Sequence, residues 1–208
     1  MRYLYIDTSS SYLYSAIIED DKILSNIEKE FGQDLSKDSL PMIASMFQIN
    51  NLKPTDIDKI IVVNGPGSFT GIRIGVTIAK TYAWALKIPI VPILSLEAMA
   101  LSSKNETVHV PIINARRGYV FGAIYDENYK ELLKPQHIKL EELLVKLKEY
   151  PNYSFISNDS FETLDNIGKY IPDFIKIVKF AKERQSINPH ALNPEYLKLT
   201  EAEESILW

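Results

Sequence analysis

Apolar and polar positions alternate in short blocks from the start of the chain. Tyr3 to Ile6 reads as a short buried strand, ended by the polar run Asp7-Thr8-Ser9-Ser10-Ser11. Tyr12 to Ile18 is a second strand, Glu19-Asp20-Asp21 a hairpin turn, and Lys22 to about Lys29 a third strand. Ser39 to Gln48 has helical character, with Pro41 expected in the first turn, where a missing N–H costs nothing. Lys59 to Val63 is a continuous apolar run, which predicts a strand covered on both faces. The turn Asn64-Gly65-Pro66-Gly67 leads into a long helix from about Phe69 to Leu86. Pro89 to Ile93 is a further strand, and Ser95 caps a short helix.

The second half repeats this order. Val108 to Ile113, Tyr119 to Tyr125 and Leu132 to Ile138 read as strands, Leu140 to Tyr150 as an amphipathic helix and Tyr153 to Ser157 as a strand. Phe161 to Tyr170 then reads as a helix and Phe174 to Val178 as a strand. Ile6 to Ile17 runs parallel to Ile113 to Ile124 at a constant offset of 107 positions, which sets Asp7 against Asn114. Such a repeat predicts two similar lobes facing one another, with boundaries at 1–100 and 101–208. The expected class is α/β: an actin-like or Hsp70-like (ASKHA) fold of two ribonuclease-H-type lobes, each three strands, helix, strand, helix, strand. The superfamily with that architecture aims an Asp from each first hairpin at the phosphates or metal of a nucleotide held between the lobes. Here Asn114 stands at the second position. An amide is no base and a poorer magnesium ligand than a carboxylate.

Composition narrows the chemistry. The formal net charge of −4 gives no broad basic field for nucleic acid phosphates, so direct RNA binding is not the expected main role. The chain has no cysteine, which excludes disulfides, thiolate metal sites and Cys nucleophiles. His109, His137 and His190 are too scattered for a local metal motif. Four apolar residues before Asp7 are too few for a signal peptide, and no apolar run is long enough to cross a bilayer, so a cytoplasmic location is expected.

Gly65-Pro66-Gly67-Ser68-Phe69-Thr70-Gly71-Ile72-Arg73-Ile74-Gly75, between a buried strand and a long helix, carries the densest signal. It lacks the Gly-Lys-Ser/Thr ending of a Walker A loop and the glycine spacing of a dinucleotide fingerprint. Two readings stay open on the residues alone. The helix N-terminus can accept an anion, or the stretch is a rigid strand-to-helix turn without a ligand, which is slightly favoured. The stretch resembles, nearly letter for letter, the signature of the TsaB family, formerly grouped with glycoprotease homologues. Tyr3 to Ser10, Ile88-Pro89-Ile90-Val91, Ser95-Leu96-Glu97-Ala98, Asn114-Ala115-Arg116-Arg117 and Pro194-Glu195-Tyr196-Leu197-Lys198 resemble further family motifs. The departures are Asn114 for the usual Asp, Leu35-Ser36-Lys37 for a His-Ser-Glu run, and a poor match from Lys130 to Lys182.

The resemblance implies a non-catalytic, dimer-forming subunit of the bacterial machinery that makes threonylcarbamoyladenosine beside the anticodon of tRNA. Its implied partners are a TsaD-like catalytic subunit, a small TsaE-like ATPase and a second copy of itself. It would need no cofactor of its own and would meet tRNA only through the complex, with no membrane contact. The catalytic relative holds a metal through a His-x-x-x-His pair, and no histidine here has a partner four residues away. The alternatives are a small ATP-dependent phosphotransferase of the same superfamily and a metal-dependent peptidase, the latter suggested only by the older family label.

Both first-lobe helices carry two apolar stripes. Leu40, Ile43 and Phe47 lie beside Met42, Met46 and Ile49; Ile72, Val76, Ala79 and Ala83 lie beside Ile74, Ile78, Tyr82 and Ala85. One stripe covers a sheet and the second implies another burial partner. The expected interface is Leu40, Ile43, Phe47, Ile72, Gly75, Val76, Ala79 and Ala83, the small residues at 75, 79 and 83 allowing close helix approach. The family packs these helices as a four-helix bundle with a second molecule. Glu201 to Trp208 is an acidic tail with an apolar end, expected to be exposed.

Overall fold

The computed structural model describes residues 1–31, 34–104 and 107–198; the acidic tail from Glu201 lies outside the described residues. The first half forms β1 (Arg2–Asp7), β2 (Tyr12–Glu19), β3 (Lys22–Glu30), α1 (Leu35–Ile49), β4 (Lys59–Val63), α2 (Phe69–Leu86), β5 (Ile90–Ile93) and α3 (Ser95–Leu101). The second forms β6 (Val108–Asn114), β7 (Tyr119–Tyr125), β8 (Glu131–Lys139), α4 (Leu140–Leu147), β9 (Tyr153–Ser157), β10 (Gly168–Lys169) and α5 (Phe174–Lys182). The sheets run β3-β2-β1-β4-β5 and β8-β7-β6-β9-β10, the same order twice. In each, the first three strands are antiparallel and the last two join in parallel. This is the paired ribonuclease-H-type architecture expected from the repeat.

The apolar run in β4 is explained by burial on both sides. Ile61 and Val63 face a central core with Tyr3 and Tyr5, whereas Ile60 and Val62 face an outer core with Leu4 and Ile6. Helices α1 and α2 cover that outer face, α4 covers the outer face of the second sheet, and α3 and α5 fill the space between the sheets.

Four expectations are corrected. Helix α1 begins at Leu35, so Pro41 is its seventh residue and lies inside the helix. The missing N–H would have met the Lys37 carbonyl, and both residues are exposed, so the lost bond falls on the solvent side of the helix. Residues Phe161 to Tyr170 form no helix. Phe161, Leu164 and Ile167 still pack on the second lobe's outer core, but Asn166 turns left-handed (φ 56°) and the segment reaches the sheet as the short β10. Phe174 to Val178 is helix, not strand. Its buried set, Phe174, Ile177, Val178 and Ala181, has helical spacing, and the Asp173 side chain accepts from the Lys176 N–H at 3.0 Å as an N-cap. The second hairpin is also one residue shorter than a gapless repeat requires. Asp7 pairs with Tyr14, but Asn114 pairs with Val120 rather than Phe121. Its turn closes through three successive left-handed residues, Arg116, Arg117 and Gly118 (φ 66°, 54° and 78°).

After α5 the chain returns to the first sheet. Ile187 bridges Ile90, Leu192 is buried in the outer core, Lys80 Nζ donates to the His190 and Leu192 carbonyls, and the Glu195 N–H donates to the Asn64 carbonyl at 2.7 Å.

His109, on β6, is buried and stacks on Tyr129 with centroids 5.1 Å apart. Burial, and secondarily Lys176, hold its pKa below the usual 6.5, against smaller opposing contributions from Asp126 and Glu127. The unfolded chain therefore binds this proton more readily. Stability from a neutral His109 is complete above pH 6.5 and is lost as pH falls through the lowered folded value. Urea unfolding between pH 8 and 5 should show stability declining toward acid, with a smaller decline in His109→Gln; equal slopes would contradict the assignment.

Candidate functional site

The signature turn is shaped by close backbone packing. Ser68 donates its N–H to the Ser9 carbonyl at 2.7 Å, and the Thr8 hydroxyl donates to the Gly71 carbonyl at 2.7 Å. A Cβ at Gly67, where φ is 155°, would overlap the Ser9 carbonyl, and one at Gly71 would overlap the Thr8 carbonyl. Ser95 N–H donates to the Gly65 carbonyl at 2.8 Å and the Ser95 hydroxyl to the Pro66 carbonyl, across a cis Gly65–Pro66 bond. The turn is thus wedged between the β1–β2 hairpin, the start of α3 and the returning C-terminal segment. Its glycines meet protein backbone, which supports the rigid-turn reading over an anion cradle.

Between the lobes lies a cavity of about 420 Å³. Ser9, Ser10 and Ser11 line it with Gly67, Ser68 and Phe69 from the signature; Asn114, Arg116, Asp159 and Tyr170 come from the second lobe. Asn114 does reach the cleft. Its Oδ1 accepts the Arg116 N–H at 2.8 Å, and its own N–H donates to Asp159 Oδ2 at 2.7 Å. Asp7 does not line it: the residue is 1% exposed, beneath the hairpin turn. Asp7 Oδ1 accepts the Ser9 N–H (2.9 Å) and hydroxyl (2.7 Å), and Oδ2 accepts the Tyr170 hydroxyl at 3.0 Å and the Tyr5 hydroxyl at 3.3 Å. Burial pushes the Asp7 carboxyl above its ordinary range, and these four donors pull it partly back. Burial likewise holds the protons on Tyr5 and Tyr170, so both phenols act as donors.

A nucleotide and metal of the superfamily kind fit this arrangement poorly. One carboxylate has its oxygens taken by protein donors, and its counterpart is an amide occupied in its own turn. Tyr170 and Asp159 are among the cleft residues that the sequence did not point to. Tyr170 fell at the end of a segment read as helix, and Asp159 lay in the poorly matched stretch.

The expected interface divides. Ile43, Phe47, Ile72, Gly75, Val76, Ala79 and Ala83 are all buried, packed between the helices and the first sheet. A Cβ at Gly75 would overlap the Thr8 hydroxyl, so the small-residue stripe brings α2 close to β1 and not to another molecule. Only Leu40, 46% exposed, remains available. The outward apolar surface is instead Phe69 (56% exposed) with the half-exposed Ile74 and Ile78, which with Leu40 border a groove of about 470 Å³ between α1 and α2. Phe69 stacks on Tyr196 with centroids 5.5 Å apart, while Arg73 lies 3.7 Å over the Phe69 ring and donates to the Tyr196 hydroxyl at 2.9 Å.

A protein-family model described as TsaD, tRNA N6-adenosine threonylcarbamoyltransferase, matches residues 24–193. The tRNA threonylcarbamoyladenosine biosynthesis protein TsaB of Bacillus subtilis is 33% identical across 98% of this chain and 96% of its own. The chain belongs to the TsaB family. The Escherichia coli TsaB is 32% identical over 69% of this chain and 68% of its own. Among solved structures, a Pseudomonas aeruginosa protein described as similar to the peptidase YeaZ superposes with a TM-score of 0.80 at 18% identity, covering 95% of this chain and 99% of its own. YeaZ from the same organism gives 0.72 at 19% identity, covering 94% and 99%. The TsaB signature of this chain is accordingly a packed turn that fixes the start of α2 against β1 and the cleft.

Placing Ala79 in the core reverses the consequence of a charge there. Ala79→Glu should destabilise the folded chain by several kcal/mol, on the order of a buried unpaired carboxylate. Thermal melting by circular dichroism should show a large loss; a variant that melts like wild type would return Ala79 to the surface.

Proposed function

We propose that this chain is a non-catalytic subunit in the biosynthesis of threonylcarbamoyladenosine in tRNA, activating a TsaD-like catalytic subunit by docking it on the outer face of α1 and α2. The observation that carries this reading is the apolar groove of Leu40, Phe69, Ile74 and Ile78, standing on a helix whose opposite side is fixed to the sheet. A surface of this kind suits a partner helix pair, with Phe69 and Arg73 as the aromatic and guanidinium anchors favoured at interface centres. The locked Asp7 and the amide at Asn114 support the absence of chemistry in the chain itself and of a cofactor of its own. A second copy would use the same groove through a two-fold axis, so self-association and partner binding are alternatives at one face. With a net charge of −4, contact with tRNA runs through the assembly, to which a TsaE-like ATPase also belongs.

The test is reconstitution. Transfer to tRNA by the catalytic subunit should require this chain, and this chain alone should show none; equal rates without it would remove the supporting role. Leu40→Glu should weaken binding to the catalytic subunit roughly thirtyfold or more, about 2 kcal/mol, and shift the chain toward monomer in light scattering, with circular dichroism unchanged. A folded Leu40→Glu variant that binds and dimerises as wild type would place docking elsewhere. The phosphotransferase alternative draws on the size of the cleft; calorimetry with magnesium-ATP should give no tight binding to the lone chain, and micromolar affinity would favour the alternative instead.

A further inference from the structure

The cleft between the lobes carries two opposite charges that do not meet. Arg116 and Asp159 are the charged residues of its lining, and among the described residues no ion pair joins them to each other or to another group. Asn114 ties both in place. Its Oδ1 accepts the Arg116 N–H at 2.8 Å, and its own N–H donates to Asp159 Oδ2 at 2.7 Å. The Asp159 N–H donates in turn to Ser157 Oγ at 3.0 Å. The Arg116 backbone and the Asp159 carboxylate are thus fixed, while the guanidinium and Asp159 Oδ1 keep their bonding capacity for the cleft. An aspartate at 114 would set a second carboxylate beside Asp159; the amide leaves one negative charge with one positive.

The other polar groups of the lining divide in the same way. Next to Asp159, Asn158 gives its Nδ2 to the Tyr14 hydroxyl at 3.1 Å and has an Oδ1 without a hydrogen-bond partner, so acceptors exceed donors there. On the first lobe, Ser10 Oγ accepts the Tyr12 N–H at 3.1 Å and Ser68 Oγ accepts the Gly71 N–H at 3.2 Å, which leaves both hydroxyl protons to donate. Phe69, Met99, Ile113 and Phe121 supply apolar walls, and the volume of about 420 Å³ lies within the range of small-molecule sites. A ligand of one sign suits this lining poorly. An anion would face Asp159 and a cation would face Arg116, each a like-charge contact.

We propose that the cleft binds a free α-amino acid as its zwitterion, the ammonium on Asp159 and the carboxylate on Arg116 with the Ser10 and Ser68 hydroxyls. An apolar side chain then lies against Phe69, Met99, Ile113 and Phe121. Charge-assisted hydrogen bonds at both ends fix the ligand's direction. The site goes beyond the docking role. Arg116 and Asp159 do not border the α1–α2 groove, so either reading can fail while the other stands.

The full chain is titrated by calorimetry with leucine, glycine, N-acetylleucine and leucinamide, and the ring resonances of Phe121 and Tyr170 are followed. Leucine should saturate and shift both rings. N-acetylleucine lacks the ammonium and leucinamide the carboxylate, so each should bind roughly tenfold more weakly or worse. Glycine lacks the apolar contact and should lose about as much. Asp159→Asn keeps an acceptor for the Asn114 N–H, and Arg116→Asn suits the left-handed φ of 66°. Each should weaken leucine roughly tenfold with circular dichroism unchanged. Asp159→Asn should also narrow the gap between leucine and N-acetylleucine, and Arg116→Asn that between leucine and leucinamide, which a general loosening of the cleft would not do. No leucine binding up to about 10 mM, a blocked derivative binding as well as leucine, or either variant binding leucine as wild type does would overturn the site.

Discussion

Asp7 ends β1 at the point where the two lobes meet, and its carboxylate is withheld from water without being left unpaired. Two donors come from its own turn, through Ser9, and two from tyrosines on either side of the lobe boundary. Tyr5 rises from the first sheet and Tyr170 follows β10 of the second; their hydroxyls lie 3.1 Å apart. The Tyr14 hydroxyl donates to the Tyr170 carbonyl and receives Asn158, which extends the network along the floor of the cleft. A buried polar cluster of this kind is costly when any member is missing and rigid when all are present. It fixes the relative position of the lobes. It also fixes the Thr8–Ser9 turn, and so the signature turn that packs on it. The position that would hold a nucleotide's metal in the wider superfamily is here a structural joint.

The two halves have kept their sheets and diverged in what covers them. The counterpart of α2 in the second lobe is the irregular stretch from Asn158 to Ile167, whose apolar residues reach the core without forming a helix. Among the described residues, a pair of long helices covers the outer sheet face in the first lobe alone. The C-terminal return adds to this asymmetry. Glu195 pairs with Asn64 and Tyr196 joins Phe69 and Arg73, so that residues distant in sequence brace the first turn of α2.

Most of the strands and the whole of α2 are legible in the sequence, because alternation and continuous apolar runs report burial directly. The repeat is legible too, since Asp7 and Asn114 end equivalent strands, though the hairpin of the second lobe is one residue tighter than the letters suggest. Among the features that are not legible are the second lobe's last helix and the outward face of α2. Phe174 to Val178 looks like a strand until the window extends to Ala181, where the helical period becomes visible. The outward face of α2 was misassigned because both of its stripes are apolar. Periodicity counts stripes but does not say which one meets the sheet. The glycine and alanines at 75, 79 and 83 fit close approach of any kind, and here the close neighbour is β1.

One helix can both cover the sheet and border the proposed docking groove. A helix seated on a sheet through small residues sits deep, and its flanking positions are then only partly covered. Ile74 and Ile78 lie on such a flank, half-exposed beside Leu40 of α1. With larger residues at 75, 79 and 83 the helix would ride higher, and the groove between α1 and α2 would change its depth and lining. The small residues thus set, from behind, the depth of the proposed docking groove. The Thr8–Gly71 bond and the Ser9–Ser68 bond hold the helix at that depth at its N-terminal end, where Phe69 stands. A docking surface on a helix fixed in this way loses little freedom when a partner arrives, so more of its apolar burial remains as affinity.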